Sequence, residues 1–260
     1  MTGLLGDKVL LVSGGTQGMG AAIARAAVDE GATVTVSGRR ADVGRACAEE
    51  LSRRGDREAV FVEADVADVA QAQGSVAEVV RRFGRIDCLV NAAGLTSRGS
   101  LLDTTPELFD AHVAVNLRAP FFLMQAAVRD MVARGEPGTV VNVITMSSHG
   151  GQPHLAPYSA TKAGLVGLTR NAAYAHRWDR VRINGINIGW TETEGEDAVQ
   201  REFHDAGDDW RERAAESLPM GRLGQPDDAA ALVVLLLSDR SGVVTGSVVD
   251  WDQQVVGTSD

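Results

Sequence analysis

The hydrophobic positions of this chain fall into two alternating kinds of segment. Short, nearly continuous apolar runs rich in Val and Ile are typical of parallel strands covered on both faces, and the longer segments between them carry apolar residues at helical spacing. The predicted strands are 8–12, 33–37, 59–62, 87–90, 139–144, 181–188 and 246–250. The predicted helices are 19–30, 41–54, 69–83, 106–133, 158–176 and 227–237.

This strand–helix alternation predicts an α/β fold, a Rossmann-type doubly wound parallel sheet of about seven strands with helices on both faces. No Pro/Gly/Ser-rich linker, internal repeat or low-complexity stretch interrupts the alternation, so residues 1–260 are expected to form a single domain. The segment 190–219 breaks the rhythm because it is polar and charged and follows a strand. It is expected to be an inserted substrate lid.

A glycine-rich loop joins the first strand to the first helix with the spacing Gly-x-x-x-Gly-x-Gly. Glycines allow a sharp turn and a close approach to a ligand, and the helix N-terminus offers N–H groups to a phosphate. A tight strand-to-helix turn is the alternative, but the first such turn of a parallel sheet is where these folds bind nucleotides. The residues expected to bind a cofactor here are Ser13, Gly14, Thr16, Gln17, Gly18, Met19 and Gly20.

The end of the second strand carries Arg39 and Arg40 where an acidic residue would select NAD. Arg39 can pair with a 2′-phosphate, which favours NADP and leaves NAD as the second choice. The alternative is that both arginines are solvated loop charges. After the third strand, Asp65 could accept a hydrogen bond from the adenine amino group, cap the following helix, or do both.

Tyr158 and Lys162 lie four residues apart on a predicted helix and therefore share a face. A nearby ammonium favours the phenolate, so Lys162 is expected to lower the pKa of Tyr158. The phenol could then exchange a proton with an alcohol or carbonyl oxygen while hydride moves to or from a nicotinamide. A surface helix pair is the alternative, but the strand before this helix ends at hydroxyls, namely Thr145, Ser147 and Ser148.

Taken together, these residues resemble the short-chain dehydrogenase/reductase family, in its single-domain subclass, over nearly the whole chain. The matching segments are 13–20, Asp65-Val66, Asn91-Ala92-Ala93-Gly94, Val115-Asn116-Leu117, Tyr158-Ser159-Ala160-Thr161-Lys162 and 221–226. The resemblance implies a catalytic set in which Tyr158 is the acid/base, Lys162 also holds the nicotinamide ribose, Asn116 positions a relay water, and a hydroxyl orients the substrate oxygen. The cofactor contacts that it adds are Val66, Asn91, Ala92, Ala93, Gly94, Tyr158, Lys162, Ile188 and Thr193.

The chain departs from the family pattern at three places. The usual serine, thirteen residues before the tyrosine, is Thr145, and Ser147 is the alternative source of the catalytic hydroxyl. The usual Pro-Gly after the sixth strand is Ile188-Gly189, and the usual Asp-Gly-Gly near the C-terminus is Asp252-Gln253-Gln254, in a region that packs at a subunit interface in relatives.

Four aromatic residues near the proposed pocket have two readings each. His149 and His154 could contact a hydroxylated substrate or be exposed loop residues, and Trp190 and Trp210 could belong to the core or to the pocket wall.

The composition excludes several classes of function. A formal net charge of −10 and a pI near 5.0 disfavour binding to nucleic acid or to an anionic membrane surface. The longest apolar run, 229–237, has nine residues, whereas a spanning helix needs about 20. The N-terminus shows no signal-peptide pattern, and two cysteines without CxxC spacing fit the cytoplasm. No metal-ligand motif such as HExxH is present, so no metal is expected.

The negative charge is concentrated in the expected lid. Between residues 192 and 216, ten acidic residues oppose three arginines, which leaves a net charge of −7. An acidic lid disfavours polyanionic substrates such as phosphorylated sugars.

The sequence therefore predicts an NAD(P)-dependent oxidoreductase that interconverts a secondary alcohol and a ketone, with a small polar hydroxylated compound as substrate. The resemblance implies a homotetramer, with which the apolar stripe in 106–133 is compatible. The first alternative is a cofactor-binding sensor or scaffold protein with little or no turnover. An extended-type epimerase or dehydratase is a second alternative, and the length and glycine spacing of this chain argue against it.

Overall fold

A computed structural model describes residues 3–204 and 206–257 of the chain. Within these residues, seven parallel strands form one sheet in the order β3-β2-β1-β4-β5-β6-β7. The strands are β1 (Val9–Ser13), β2 (Thr33–Gly38), β3 (Val60–Glu63), β4 (Cys88–Asn91), β5 (Gly138–Val143), β6 (Val181–Ile188) and β7 (Val248–Trp251). The strand order reverses between β1 and β4, and such a switch point opens a crevice for ligands at the carboxyl ends of the strands.

Helices cover both faces of the sheet, which confirms the predicted doubly wound fold. The helices are α1 (Gly18–Asp29), α2 (Ala41–Arg54), α3 (Val69–Phe83), α4 (Pro106–Val113), α5 (Ala119–Arg134), α6 (Ala156–His176), α7 (Glu194–His204), α8 (Trp210–Glu216) and α9 (Pro226–Leu237). Alternate strand residues point to opposite faces, so Leu10 and Val12 pack with α1 and α9, whereas Val9 and Leu11 pack with α3 and α5.

The predicted helix 106–133 is interrupted. A π-helical turn, Ala114–Arg118, separates α4 from α5. The residues at both junctions have right-handed helical φ and ψ, so the chain continues as a helix. A π turn takes up an extra residue while the chain continues as a helix, so the hydrophobic spacing did not reveal it.

Most other boundaries differ from the prediction by one or two residues. The predicted strand 8–12 is β1 at Val9–Ser13, and the predicted strand 246–250 is β7 at Val248–Trp251. Helix α6 begins at Ala156 rather than Tyr158, which places Tyr158 in its first turn and Lys162 in the next.

The segment 190–219 is more regular than a loop, because it forms α7 and α8. These helices have their own small core, made by Trp210, Ala214, Leu218 and Leu223. Within the part of the chain that the structure describes, four of the ten acidic residues form ion pairs with the three arginines of the segment. The pairs are Asp197 with Arg201 and Arg211, Glu192 with Arg211, Asp208 with Arg201, and Asp209 with Arg213.

Candidate active site

The glycine loop is built so closely that side chains would not fit. Gly14 has φ +73°, and a Cβ on it would lie 2.5 Å from the backbone nitrogen of Ala93. A Cβ on Gly20 would lie 2.1 Å from the Gly14 carbonyl oxygen. The loop therefore presses against the end of β4, and α1 begins at Gly18 with its N-terminus at the crevice. This is the cradle that the pyrophosphate of a dinucleotide requires.

Polar side chains line the carboxyl edge of the three adjacent strands β2, β1 and β4. Ser13, Ser37 and Asn91 lie opposite one another in the strand register, and all three are buried. Ser13 Oγ, Ser37 Oγ and Asn91 Oδ1 have no hydrogen-bond partner among the residues that the structure describes. Further along the same edge, a Cβ on Gly94 would lie 3.8 Å from Asn116 Oδ1 and 3.9 Å from Lys162 Nζ. Glycine at position 94 thus keeps space open beside these two side chains for a cofactor.

At the end of β2, the second arginine, Arg40, makes a contact that the sequence analysis did not predict. The Arg40 guanidinium donates a hydrogen bond to Gln17 Oε1, which ties the end of β2 to the glycine loop. Arg39 is exposed beside it, and Gly38 packs against Thr16. Glutamine at position 17 is the only sequence signal for this contact, since an amide oxygen can accept from a guanidinium.

The proposed helix-capping role of Asp65 is wrong. Asp68 is the N-cap of α3, and its carboxylate accepts from the N–H groups of Ala70 and Gln71. Asp65 instead accepts from the N–H of Ala67 at 3.0 Å within the turn before the helix. Its half-buried carboxylate remains available for an adenine contact. Val66, next to it, is buried in the core.

Lys162 is buried beneath Tyr158. Its Nζ donates to the Val143 carbonyl at 2.9 Å, at the end of β5, and lies 5.8 Å from the centroid of the Tyr158 ring. Burial lowers the pKa of Lys162 to about 8, because the ammonium is removed from water.

The electrostatics of Tyr158 differ from the expectation. Burial raises the pKa of Tyr158 to about 12, a hydrogen bond from Thr145 and the positive charge of Arg98 oppose this rise, and Glu196 adds to it. The predicted lowering by Lys162 is therefore wrong for the protein alone. Desolvation of the phenolate is the largest effect, and the lysine ammonium makes its hydrogen bond to a backbone carbonyl.

Thr145 and Ser147 have different hydrogen-bond partners. The Thr145 hydroxyl donates to Ser147 Oγ at 3.4 Å, and Ser147 Oγ donates to Gln152 Oε1 at 3.0 Å. Ser147 is buried in a 3₁₀ turn, and its own N–H donates to Thr145 Oγ1 at 3.2 Å. Of the two hydroxyls, that of Thr145 acts on Tyr158, where it opposes the rise of the tyrosine pKa.

Asn116 lies in the π-helical turn and is fully buried. Its Oδ1 accepts from the Leu95 N–H at 2.8 Å, and its Nδ2 donates to the Leu95 carbonyl at 2.9 Å. Nδ2 also lies 3.1 Å from Nδ1 of His112, a residue that the sequence analysis did not select. The available signal was its position four residues before Asn116 on a predicted helix.

The remaining predicted site residues lie around this centre. Ile188 ends β6, and Thr193 lies close to the glycine loop, with its Cβ 3.9 Å from a Cβ built on Gly18. Ala92 donates from its N–H to the Ser13 carbonyl. His149 Nε2 lies 3.1 Å from Asp250 Oδ1, so this histidine is tied to β7.

The two tryptophans of segment 190–219 have different environments. Trp210 is a core residue of this segment, whereas Trp190 is 37% exposed and stacks on it at 6.3 Å between ring centroids. The Trp190 Nε1–H donates to Glu196 Oε1 at 2.8 Å, and Gln200 donates to the same oxygen. Glu196 Oε2 has no hydrogen-bond partner in the part of the chain that the structure covers.

The described ranges, 3–204 and 206–257, contain no group of three or more His, Cys, Asp and Glu side chains arranged to hold a metal ion. No helix within them has the length and apolar character that crossing a membrane requires.

A glycine cradle at the switch point of a parallel sheet, with a Tyr–Lys pair beside it, defines an NAD(P)-dependent oxidoreductase that acts on CH–OH groups. A family model described as enoyl-(acyl carrier protein) reductase (adh_short_C2) matches residues 14–253. The chain belongs to the short-chain dehydrogenase/reductase family.

Individual relatives carry several activities on this scaffold. The chain is 37% identical to L-rhamnose 1-dehydrogenase (NAD(P)(+)) of Azotobacter vinelandii over 94% of each chain. It is 30% identical to sorbitol dehydrogenase of Cereibacter sphaeroides, over 95% of this chain and 97% of that protein. Among solved structures, a variant of actinorhodin polyketide ketoreductase with NADPH superposes with a TM-score of 0.91 at 30% identity, over 99% of this chain and 100% of the other.

Proposed function

We propose that this protein interconverts a secondary alcohol and a ketone of a small polyhydroxylated compound, with NADP as the preferred cofactor. The observation that carries the proposal is the Tyr158–Lys162 pair: the buried Lys162 Nζ donates to the Val143 carbonyl at 2.9 Å and lies 5.8 Å from the centroid of the Tyr158 ring. A proton donor and a cation at the end of β5, with the Thr145 hydroxyl acting on the tyrosine, support this reaction.

Each residue of the site has a distinct proposed role. The bound nicotinamide supplies or accepts the hydride. Tyr158 gives a proton to the carbonyl oxygen, or takes it from the alcohol, while Thr145 orients that oxygen by hydrogen bonding. Lys162 holds the ribose and carries the proton that replaces the one lost by Tyr158. Asn116 Oδ1 keeps a second lone pair besides the one used by Leu95, and this lone pair can hold the relay water.

The polar groups around Tyr158 support a hydroxylated substrate. Glu196 and Arg98 both act on the tyrosine electrostatically, one from the lid and one from the loop after β4. Trp190 and Gln200 hold Glu196 Oε1, so that its free Oε2 can accept from a substrate hydroxyl. Arg98 also lies 5.6 Å from the Phe203 ring centroid, which joins the loop to the lid. The rhamnose and sorbitol activities of the relatives agree with this class of substrate.

The experiment that tests this function is steady-state turnover on a panel of neutral sugars and polyols, beginning with L-rhamnose and sorbitol. The panel includes the matching phosphorylated sugars and simple ketones, and each compound is assayed with NADP(H) and NAD(H). We expect the largest kcat/KM for a neutral hydroxylated compound, because the lid has a net charge of −7. A phosphorylated compound as best substrate would contradict the substrate class. Tight NADPH binding without turnover anywhere on the panel would instead favour the sensor or scaffold protein.

The preference for NADP is expected to depend on Arg39 and Arg40. A hydrogen bond to a charged group contributes about 1.5–3 kcal/mol, so Arg39→Ala should lower kcat/KM with NADP by about 10–100-fold and leave the value with NAD nearly unchanged. Arg40→Ala should have a smaller effect of the same kind, because the Arg40 guanidinium already donates a hydrogen bond to Gln17. Arg53→Ala, at the far end of α2, is the matched control. Equal losses with both cofactors would show that Arg39 does not read the 2′-phosphate.

The protein is expected to assemble as a homotetramer. Phe109 on α4 and Phe121 on α5 are 46% and 44% exposed, and the nearby Leu101 and Leu102 are almost fully exposed. Apolar side chains on neighbouring helices are typical of a subunit interface. Light scattering should give about four times the 27.4 kDa mass of one chain. A monomer that remains fully active would contradict this assembly.

Cys47 and Cys88 are both free thiols, and Cys88 is buried. Free thiols fit a reducing cytoplasm, which cell fractionation would test. Recovery of the active protein outside the cytoplasm would contradict this placement.

A further inference from the structure

His112 is a fully buried histidine whose two ring nitrogens both have partners. Nε2 lies 3.1 Å from the Ser97 carbonyl oxygen, and Nδ1 lies 3.1 Å from Asn116 Nδ2. A carbonyl only accepts hydrogen bonds, so Nε2 must carry the hydrogen. Asn116 Nδ2 only donates, so Nδ1 must present its lone pair. The ring is therefore the neutral Nε2–H tautomer.

The orientation of the Asn116 amide supports this assignment independently. The Leu95 N–H donates to Oδ1, and Nδ2 donates to the Leu95 carbonyl, so the backbone of Leu95 distinguishes the two ends of the amide. Nδ2 consequently faces His112. The histidine, the amide and residues 95–97 of the loop after β4 form one connected network.

This network touches the reacting centre. The His112 ring meets the Tyr158 ring edge-on, with centroids 6.2 Å apart and planes at 69°. Nδ2 of Asn116 also lies 3.4 Å from Thr161 Oγ1, which comes directly before Lys162 on α6. A shift of the His112 ring would move both the Asn116 amide and the tyrosine ring against it.

We propose that His112 is a positioning residue, which in its neutral Nε2–H form holds the Asn116 amide and the 95–97 loop in the orientation that the reaction needs. This inference rests on the proposed function, since it assigns a supporting residue to the same site. Protonation of Nδ1 would place two N–H groups against each other and turn the Asn116 amide away.

The surroundings favour the neutral form. Burial lowers the pKa of His112, and the hydrogen bond to the Ser97 carbonyl opposes this effect. Among the described residues, Tyr158 on α6 is the titratable group in contact with the ring. Lys162 lies one turn further along α6 and contacts the Tyr158 ring, and Arg98 follows Ser97 in the loop. The lowered pKa confines protonation to pH values below the ordinary histidine value of about 6.5.

The test compares three substitutions that separate the two hydrogen bonds. His112→Asn can place an amide oxygen near the Nδ1 position and keep the bond to Asn116. His112→Gln can place an amide N–H near the Nε2 position and keep the bond to Ser97. His112→Phe keeps the ring volume and neither bond. We expect His112→Phe to lower kcat by about 10–100-fold with little change in KM for NADPH, because misplacement by about 1 Å can cost that much.

His112→Asn should recover most of the wild-type kcat and should lack the decline of kcat on the acid side of the pH profile. His176→Asn, at the end of α6, is the control and should keep both the rate and the acid limb. A thermal melt of each variant reports its stability. If His112→Phe fails to fold, the comparison of kcat between the Asn and Gln variants still tests the proposal. The proposal is overturned if the loss of kcat among the variants follows only their loss of melting temperature, or if all three variants have the wild-type kcat.

A second measurement does not depend on turnover. Nitrogen NMR of the five labelled histidine rings, with His112→Asn to assign the signal, should show one ring that is the neutral Nε2–H tautomer and whose pKa lies below the ordinary value of about 6.5. The Nδ1–H tautomer would overturn the proposed geometry. The expected tautomer in a protein without turnover on the panel would show that the proposed function, rather than the network, has failed.

Discussion

Tyr158→Phe lowers turnover by about 10²–10⁴-fold, the range that a positioned acid or base contributes, while NADPH binding persists. The substitution removes one oxygen and keeps the ring that packs against His112 and Lys162. The measurement is kcat on the best panel substrate, together with cofactor binding by fluorescence. Thr145→Val should lower kcat in the same direction, because it removes the hydroxyl that opposes the rise of the Tyr158 pKa and is proposed to orient the substrate oxygen.

Tyr174→Phe is a well-matched control for this variant. It is the only other tyrosine of the chain, it lies on the same helix, and it is 69% exposed. We expect it to keep wild-type turnover. Loss of turnover in both tyrosine variants, or in neither, would contradict the role of Tyr158.

The raised pKa of Tyr158 also predicts a difference between the two reaction directions. A phenol with a pKa of about 12 is fully protonated at neutral pH, which suits it to give a proton to a carbonyl oxygen. Alcohol oxidation needs the phenolate, so its rate should rise as pH increases above neutrality. Reduction should stay level up to about pH 8, above which Lys162 loses the proton that it supplies to Tyr158.

Lys162→Met should have the second large effect, again a loss of about 10²-fold or more in kcat. The substitution removes the ammonium that holds the ribose and supplies the proton to Tyr158, and it leaves the helix length and the buried volume similar. Lys8→Met is the control, because Lys8 is the only other lysine and forms an ion pair with Asp239 far along the chain. Full activity of Lys162→Met would contradict the proposed role.

The same variant should change the pH dependence of stability. The native pKa of Lys162 is about 8, against 10.5 for the ordinary group, so the charged form is destabilised by folding. As pH rises from 8 to 10.5, the native state loses the proton first, and the free energy of unfolding increases by as much as about 3 kcal/mol. Urea unfolding at several pH values should show this rise in wild type and in Lys8→Met. The rise should be missing from Lys162→Met.

Much of the architecture could be predicted because its causes are local. Buried parallel strands show as nearly continuous apolar runs, and the glycines at 14 and 20 mark a place where the backbone has no room for a side chain. Tyr158 and Lys162 share a helix face through spacing alone. These features depend on residues that are close together in the sequence.

The features that could not be predicted depend on tertiary packing. The direction of the Tyr158 pKa follows from how deeply the ring is buried, which spacing does not report. The sequence analysis considered a cap at Asp65, and only the backbone at the start of α3 shows that Asp68 takes this position. The helices α7 and α8 were not predicted, because the hydrophobic spacing of segment 190–219 does not report ion pairs such as Asp208 with Arg201 and Asp197 with Arg211.

The π-helical turn Ala114–Arg118 joins α4 and α5 into one continuous helical segment. It also allows this segment to face the crevice with one residue and the sheet core with residues that an unbroken α-helix would point elsewhere. Successive residues of an α-helix are rotated by about 100°, so one additional residue in a turn rotates everything beyond it by that amount. Leu123, Ala127 and Met131 on α5 face the sheet core, while the Asn116 amide before them faces the crevice. An α-helix without the π-helical turn could not keep both the Asn116 amide at the crevice and these α5 side chains in the core. The chain obtains both by changing its winding for five residues rather than by ending one helix and starting another.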